Sequence, residues 1–227
     1  MAAITALREA VADLIHDGDS LAMEGFTHLI PFAAGHEVIR QRRRGLTLIR
    51  MTPDLIYDQT IGAGCARKVV FSWAGNPGVG SLHRFRDAVE RQWPNAIEIE
   101  EHTHTSMANA YAAGASGLPF AVFRGYTGVE LATVNPNIRF IDCPFTGERL
   151  ASVPALRPDV AVIHAQKADR EGNVLIKGIP GAVAPHTRRP RPSRSSHETR
   201  PPHGPAFANH RTVLPLQPYQ GRRSAAW

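Results

Sequence analysis

The most informative stretch of this sequence is Asp17-Gly18-Asp19-Ser20-Leu21-Ala22-Met23-Glu24-Gly25-Phe26-Thr27-His28-Leu29-Ile30-Pro31. It places a short apolar segment between an acidic glycine turn and a loop of glycine, aromatic and hydroxyl side chains. A short apolar run bounded by turn residues is typical of a buried strand. In open α/β sheets, ligands bind in the crevice beyond the carboxyl ends of such strands. The stretch therefore predicts a strand that presents a ligand-binding loop.

The same arrangement occurs twice more in the chain. Residues 69–73 form an apolar run that is followed by the glycine-rich loop 75–81, and residues 160–164 form one that is followed by a polar loop at 165–169. Because the carboxyl ends of parallel strands meet at one edge of a sheet, three such loops predict one shared site.

Short apolar runs alternate with helical patterns along most of the chain. We predict helices at 3–16, 32–43, 53–63, 81–93 and 105–116, the third opened by Pro53 in its first turn. We predict strands at 20–25, 46–50, 67–73, 97–101, 120–123, 138–141, 150–153, 159–165 and 172–177. This alternation predicts an α/β fold with an open, mainly parallel, doubly wound sheet and helices on both faces.

The character of the sequence changes after Gly181. Residues 182–227 contain eight Arg, eight Pro and four His but only one acidic residue, whereas residues 1–181 contain 18 basic and 19 acidic side chains. The excess positive charge therefore belongs to the tail, and the composition gives no reason to expect a nucleic-acid-binding domain. We predict a domain at 1–181 that is incomplete at its C-terminus, followed by a tail at 182–227.

Three interpretations of the tail remain open. It is a basic interaction segment, a disordered extension, or the product of a lost reading frame. A segment with so few periodic apolar residues cannot offset its ordering entropy, which favours disorder. We favour the lost frame, because enrichment in Arg, Pro, His, Ser and Ala is typical of GC-rich DNA read out of frame.

The cysteines and the N-terminus indicate the compartment. Cys65 and Cys143 stand in unrelated contexts without metal-ligand spacing, so we expect free thiols in a reducing environment. The first residues carry charges within their apolar pattern, unlike a signal peptide, and no apolar run approaches the roughly 20 residues that span a bilayer. We expect a cytoplasmic protein that binds no membrane.

Four motifs, at 25–31, 75–86, 115–120 and 164–173, resemble the α (A) subunit of family I coenzyme A transferases, most closely the glutaconate CoA-transferase-like branch. The resemblance runs from about Thr5 to Gly181. Two departures are visible. Glu24 stands where members of the family usually carry a second glycine, and the Arg/Pro tail stands where they continue with further helices and strands.

The resemblance implies a doubly wound sheet and a partner of similar fold, the β (B) subunit. It also implies a ping-pong transfer of CoA from an acyl-CoA to a small carboxylic acid, through a glutamyl-CoA thioester. CoA is then a substrate, and no cofactor is permanently bound. The nucleophilic glutamate belongs to the β subunit, so this chain is expected to contain no catalytic nucleophile. Its loops are expected to hold the acyl group and stabilise the oxyanion.

Two loops supply the expected substrate-binding and CoA-binding residues, which are Gly25, Phe26, Thr27, Asn76, Gly78, Gly80 and Ser81. The loop at 75–81 precedes a helix, so its free N–H groups could receive an anion or a thioester oxygen. Alternatively, it is a tight turn that needs glycine for its backbone angles. It lacks the Gly-Lys-Ser/Thr ending of a nucleotide-binding P-loop, which disfavours ATP.

Further candidates for the site are Glu24, Thr105, Ser106, Arg124 and Gln166. Glu24 ends a strand beside Gly25, where a nucleophile would be useful, but the resemblance favours a structural carboxylate. Arg124 is followed by Tyr126 and Thr127 at the tip of a predicted strand, where substrate contact and structural hydrogen bonding are equally good interpretations.

A pair of histidines at 102 and 104 follows two glutamates and could be drawn as a metal site. Alternate positions of a strand share one face, but a metal would need a third ligand and spacing indicates none. We therefore expect a hydrogen-bonded loop and no metal.

Three other functions compete with CoA transfer. Some relatives that hydrolyse ring-derived CoA thioesters use a glutamate near residue 105, and the sequence His104-Thr105-Ser106 here weakens a hydrolase or lyase assignment. An inactive truncated fragment would expose apolar surface. Nucleic-acid binding through the tail would be salt-sensitive and would disappear on deletion of residues 182–227.

Overall fold

Strands and helices alternate along the chain as far as residue 115. The computed structural model describes residues 4–25, 29–76, 80–169 and 173–177, and the backbone of a short strand at 211–213. The helices are α1 (Leu7–Leu14), α2 (Phe32–Arg40), α3 (Leu55–Gly62), α4 (His83–Arg91), α5 (His104–Ala115) and α6 (Leu131–Val134). The strands are β1 (Ser20–Met23), β2 (Leu46–Ile49), β3 (Ala66–Phe71), β4 (Glu98–Glu101), β5 (Phe120–Phe123), β6 (Arg139–Asp142), β7 (Arg149–Pro154), β8 (Val160–Val162), β9 (Lys167–Ala168), β10 (Val174–Leu175) and β11 (Arg211–Val213).

The main sheet is parallel, with the strand order β11-β8-β1-β2-β3-β4. In its centre, Leu21 pairs with Leu48 on one side and with Val160 on the other. The chain runs from β1 to β4 in one direction, and β8 then returns to the opposite side of β1. This reversal beside β1 is the topological switch point at which open α/β sheets bind their ligands. The predicted mainly parallel α/β sheet is confirmed.

Alternate residues of the central strands face two separate cores, as the pleat of a strand requires. Leu21, Met23 and Leu48 pack with α1, α2 and α3 on one face. Ala22 and Ile49 pack on the other face, where α5 contributes Met107 and Tyr111. Helices on both faces make the sheet doubly wound, also as predicted.

A second sheet is antiparallel, with the strand order β5-β7-β6. Ala121 and Val153 pair across it and pack against Ala110 and Ala113 of α5. The sequence predicts one mainly parallel sheet and gives no sign that these three strands form a separate one. The short connection from β6 to β7 leaves no room for the crossover helix that parallel pairing needs, so these strands pair antiparallel.

Several predicted boundaries are wrong. The third helix is not opened by Pro53, because the Asp54 side chain accepts a hydrogen bond from Ile56 N and caps a helix that begins at Leu55. The strand predicted to reach Gly25 ends at Met23. In the predicted tail, residues 211–213 form β11 beside β8; the rest of 182–227 lies outside the described residues, so the nature of the tail stays a prediction.

Among the described residues, no helix is both long enough and apolar enough to cross a membrane.

Candidate functional site

The loops that follow the parallel strands form what we call the carboxyl edge, which comprises residues 24–25, 50–54, 72–76 and 102–104. These segments follow β1, β2, β3 and β4 respectively. Because the four strands are parallel and adjacent, their loops lie along the same side of the sheet. The ends of β1, β3 and β8, which the sequence predicts to meet, lie on this side of the parallel sheet, and a shared ligand site there stays a prediction.

Hydrogen bonds join neighbouring loops of the carboxyl edge. The carbonyl oxygen of Met51 accepts from the backbone N of Ser72 and of Trp73, each at 3.1 Å, and from Ser72 Oγ at 2.6 Å. Gly75 N donates to Pro53 O at 3.1 Å. These contacts join the loop after β3 to the loop after β2.

Glu24 is buried within this edge and is 3% exposed. Its Oε1 accepts hydrogen bonds from Met51 N at 3.0 Å and from the Tyr111 hydroxyl at 2.8 Å. Burial raises the pKa of Glu24, although these hydrogen bonds and the charge of Arg50 act in the opposite direction. Glu24 therefore connects the end of β1 to the loop after β2 and to α5 through hydrogen bonds. These contacts fit a structural role for its side chain.

Arg50 holds the backbone of Gly25 and was not among the sequence-based candidates. Its guanidinium binds both carboxylate oxygens of Asp54 at 2.9 Å, and Nη2 donates to Gly25 O at 2.8 Å. It is 1% exposed and lies over the ring of Tyr57, 5.5 Å from the centroid. The sequence does contain a signal for this contact: Arg50 is a charged residue at the end of an apolar strand, and the acidic residue Asp54 follows four positions later.

Two buried phenols complete this centre. The Tyr57 hydroxyl donates to Ile49 O at 2.8 Å and accepts from Met23 N at 3.0 Å. Burial raises the pKa of both Tyr57 and Tyr111, so the two hydroxyls remain protonated donors. The Tyr57 hydroxyl therefore satisfies one backbone group at the end of β1 and one at the end of β2, whereas Arg50 Nε is buried without a hydrogen-bond partner in the described part of the chain.

The half-buried Ser72 and the exposed His104 form a pair at the carboxyl edge. Ser72 Oγ lies 3.0 Å from Nδ1 of His104, the first residue of α5. His104 and the neighbouring candidate Thr105 are both exposed. The sequence predicts a hydrogen-bonded loop for the segment that contains His104, and the contact with Ser72 fits that prediction. No group of three metal-ligating side chains occurs among the described residues.

Ser106 lies behind this pair in a buried chain of polar groups. Its Oγ is 3.3 Å from His102 Nδ1, and His102 Nε2 is 2.8 Å from Glu100 Oε1. These residue types also build the triads of serine hydrolases, but Ser106 has no exposed surface and His102 is 5% exposed. A substrate contact by Ser106 remains a prediction that would require this packing to open.

Glu100 is ionised and links β4 to β3. Burial raises its pKa, but hydrogen bonds from His102, Lys68 and Asn137 outweigh this effect and hold the pKa at about 2. Lys68 Nζ lies 2.7 Å from Glu100 Oε2. The expected hydrogen-bonded loop is therefore present after β4.

The predicted glycine loops are described only in part. Asn76 and Gly80 exchange two backbone hydrogen bonds, at 3.1 and 3.2 Å, and Gly80 has φ +103°. The positive φ shows that the turn needs glycine there. Ser81 is exposed just before α4. Phe26, Thr27 and Gly78 lie outside the described residues, so their substrate contacts remain predictions.

Two other candidates lie in different surroundings. Arg124 follows β5 of the second sheet and binds both carboxylate oxygens of Glu148, at 2.6 and 2.7 Å. Gln166 exchanges two hydrogen bonds with the backbone of Lys177, at 3.0 and 2.9 Å. The structure does not bring either side chain into the hydrogen bonds of the carboxyl edge, and their contact with substrate stays a prediction.

An open cavity of about 700 Å³ lies beside α6, where Val129, Phe140 and Arg149 are among its lining residues. Two of the strand-tip candidates, Tyr126 and Thr127, also line it. The Tyr126 hydroxyl accepts from Thr103 N at 3.0 Å, which connects the cavity wall to the carboxyl edge.

Comparison with known proteins identifies the family. The sequence profile of coenzyme A transferases matches residues 4–189. The chain is 69% identical over 181 residues to the α (A) subunit of the 3-oxoadipate CoA-transferase of Pseudomonas knackmussii, a match that covers 80% of this chain and 64% of that protein. It is 30% identical over 196 residues to the α (A) subunit of the glutaconate CoA-transferase of Acidaminococcus fermentans, which covers 78% of this chain and 60% of the relative.

Solved structures agree with this assignment. The crystal structure of glutaconate CoA-transferase from Acidaminococcus fermentans superposes with a TM-score of 0.75 at 29% identity, and covers 81% of this chain and 63% of that one. A variant of the decarboxylase AibA/AibB superposes with a TM-score of 0.70 at 31% identity, and covers 80% and 70% respectively. The chain therefore belongs to the coenzyme A transferase family, as the motifs predicted. It spans about three fifths of the length of the two curated relatives.

Proposed function

We propose that this chain is the α subunit of a heteromeric CoA transferase, which moves CoA from an acyl-CoA to a small dicarboxylic acid of the 3-oxoadipate type. The observation that carries the proposal is the 69% identity to the α subunit of 3-oxoadipate CoA-transferase over 181 residues. The family profile, which matches residues 4–189, includes the whole carboxyl edge. Both curated CoA-transferase relatives are named for acids with two carboxyl groups, which supports a dicarboxylic substrate.

The proposed reaction proceeds through a glutamate of the β subunit. Its carboxylate oxygen bonds to the acyl carbonyl carbon as the C–S bond breaks and CoA thiolate leaves. The thiolate then attacks the glutamyl carbonyl of the mixed anhydride, which gives glutamyl-CoA and releases the first acid. The acceptor acid reverses both steps. Burial of Glu24 supports a nucleophile outside this chain, because its carboxylate has almost no exposed surface.

This chain contributes one wall of the site in the proposal. Arg50 fixes the Gly25 carbonyl, and the Met51 and Pro53 carbonyls fix the loop at 72–75. Loops that are held by such hydrogen bonds are proposed to position the acyl group for reaction. The loop at 75–81 is proposed to supply N–H groups to the thioester oxygen.

A thioester hydrolase or lyase on the same scaffold is the second candidate, which the similarity to the decarboxylase AibA/AibB favours. The two are distinguished by incubating the complex of this chain with the β subunit and an acyl-CoA, with and without 3-oxoadipate. We expect a new CoA thioester only when the acid is present. Release of free CoA or CO₂ without an acceptor would overturn the transferase assignment, and this chain alone should be inactive.

The same proposal places the complex in the cytoplasm. Both cysteines among the described residues are free thiols, which is the usual state in a reducing compartment.

A further inference from the structure

The pair of half-buried Ser72 and exposed His104 has a fixed pattern of hydrogen-bond donors and acceptors. Ser72 Oγ lies 2.6 Å from Met51 O, a carbonyl that can only accept, so the single hydroxyl proton of Ser72 points to Met51. His104 Nδ1 lies 3.0 Å from the same Oγ. With the serine proton committed, Nδ1 must carry a proton and donate to Ser72. Nε2 is therefore the ring atom left to meet a ligand.

Other basic side chains at the carboxyl edge are already occupied. Arg50 is bound by Asp54 and Gly25, and His102 is bound by Glu100 and Ser106. Both are buried, whereas His104 is exposed. An anion that enters along the described part of this edge can pair with His104 without displacing a protein partner.

We propose that His104 is a specificity-determining residue, whose Nε2 hydrogen-bonds the free carboxylate of a dicarboxylic substrate. This inference rests on the proposed function and adds the residue that selects the acid. Because Nδ1–H already donates to Ser72, Nε2 can donate only when the ring takes up a second proton, so in this proposal the ring binds the carboxylate as imidazolium and Nε2–H donates to a carboxylate oxygen. The anchor at Nδ1 holds the ring in one orientation, which distinguishes His104 from an unattached surface histidine.

The test compares two acceptor acids in the complex of the full chain with the β subunit. One is 3-oxoadipate, and the other is 3-oxohexanoate, which has the same chain length and oxo group but one carboxylate. For His104→Phe we expect KM for 3-oxoadipate to rise about 10- to 100-fold, because loss of a hydrogen bond to a charged group weakens binding by about that factor. KM for 3-oxohexanoate and kcat should change little.

Two further variants separate a contact from a structural effect. Ser72→Ala removes the anchor of the ring, so it should lower discrimination between the two acids by less than His104→Phe does. His16→Gln removes an exposed histidine before β1, at the opposite edge of the sheet, and should leave discrimination unchanged. Thermal unfolding and gel filtration of each complex check that folding and assembly are intact.

Several results would overturn the proposal. An equal rise in KM for both acids would make His104 a structural residue, and unchanged discrimination would exclude the contact. A rise in KM for the acyl-CoA donor, irrespective of its acyl group, would place the contact on CoA instead. If the wild-type complex transfers CoA to neither acid, the proposed function itself fails, an outcome distinct from normal transfer with unaltered discrimination.

Discussion

Glu24 holds together the ends of two strands and a helix, so its substitution separates a structural role from a chemical one. In Glu24→Gln, the amide oxygen can still accept from Met51 N and the Tyr111 hydroxyl. We therefore expect kcat of the complex to stay within about threefold, whereas loss of a nucleophile costs roughly a thousandfold or more. A loss of that size would identify Glu24 as the nucleophile. Glu24→Ala, which leaves two buried donors unpaired, should instead lower the free energy of unfolding by about 2–4 kcal/mol.

The raised pKa of Glu24 gives the same substitution a pH signature. In the unfolded state Glu24 releases its proton above a pKa of about 4.5, whereas the native state retains the proton to higher pH. The contribution of Glu24 to the free energy of unfolding therefore becomes less favourable as pH rises. Glu24→Gln removes that cost. Its stability relative to wild type should increase between pH 4 and pH 7, as measured by urea unfolding. A constant difference across that range would contradict the burial argument.

At the scale of the elements, Glu100 joins β4 to β3 and to the start of α5. Its pKa of about 2 lies below the unfolded value of 4.5, so it stabilises the native state above pH 4.5 and loses that effect as pH falls toward 2. At pH 7 we therefore expect Glu100→Gln to lower the free energy of unfolding by about 3 kcal/mol. It should also show a flatter loss of stability in acid. Urea unfolding of both proteins from pH 2 to pH 7 tests this prediction. If the free energy of unfolding fell with decreasing pH by the same amount in wild type and in Glu100→Gln, the prediction would be contradicted.

The packing of α5 against the segment before β8 depends on Gly114. A Cβ at this position would lie 2.0 Å from Leu156 O, a backbone atom that cannot rotate away. Alanine is more favourable than glycine inside a helix by about 1 kcal/mol, but here the new methyl group would force α5 and the segment at Leu156 apart. We therefore expect Gly114→Ala to lower the free energy of unfolding by about 2 kcal/mol. Gly117→Ala is the control, because Gly117 has φ +74° and open space around it. We expect Gly117→Ala to lower the free energy of unfolding by about 1 kcal/mol, because alanine is strained at that φ. If Gly114→Ala were as stable as wild type, this packing would be contradicted.

The position of the carboxyl edge could be predicted from the sequence, but the contacts that organise it could not. Apolar runs that end in glycine loops identified the ends of β1 and β3, because that pattern is local. The partners of Glu24 and Ser72 come from distant parts of the chain, and only the strand order brings Tyr111 and His104 beside them. The antiparallel sheet was missed for the same reason, since pairing is not a property of a single strand.

At the scale of the whole molecule, the central claim is that this chain forms one wall of a site whose nucleophile comes from the β subunit. The most direct measurement traps the intermediate. The complex is incubated with an acyl-CoA without acceptor and then treated with borohydride, which reduces a glutamyl thioester to an alcohol, and mass spectrometry of the peptides locates the reduced residue. We predict one reduced glutamate in the β subunit and none in this chain. A reduced Glu24, or any other reduced glutamate of this chain, would contradict the account.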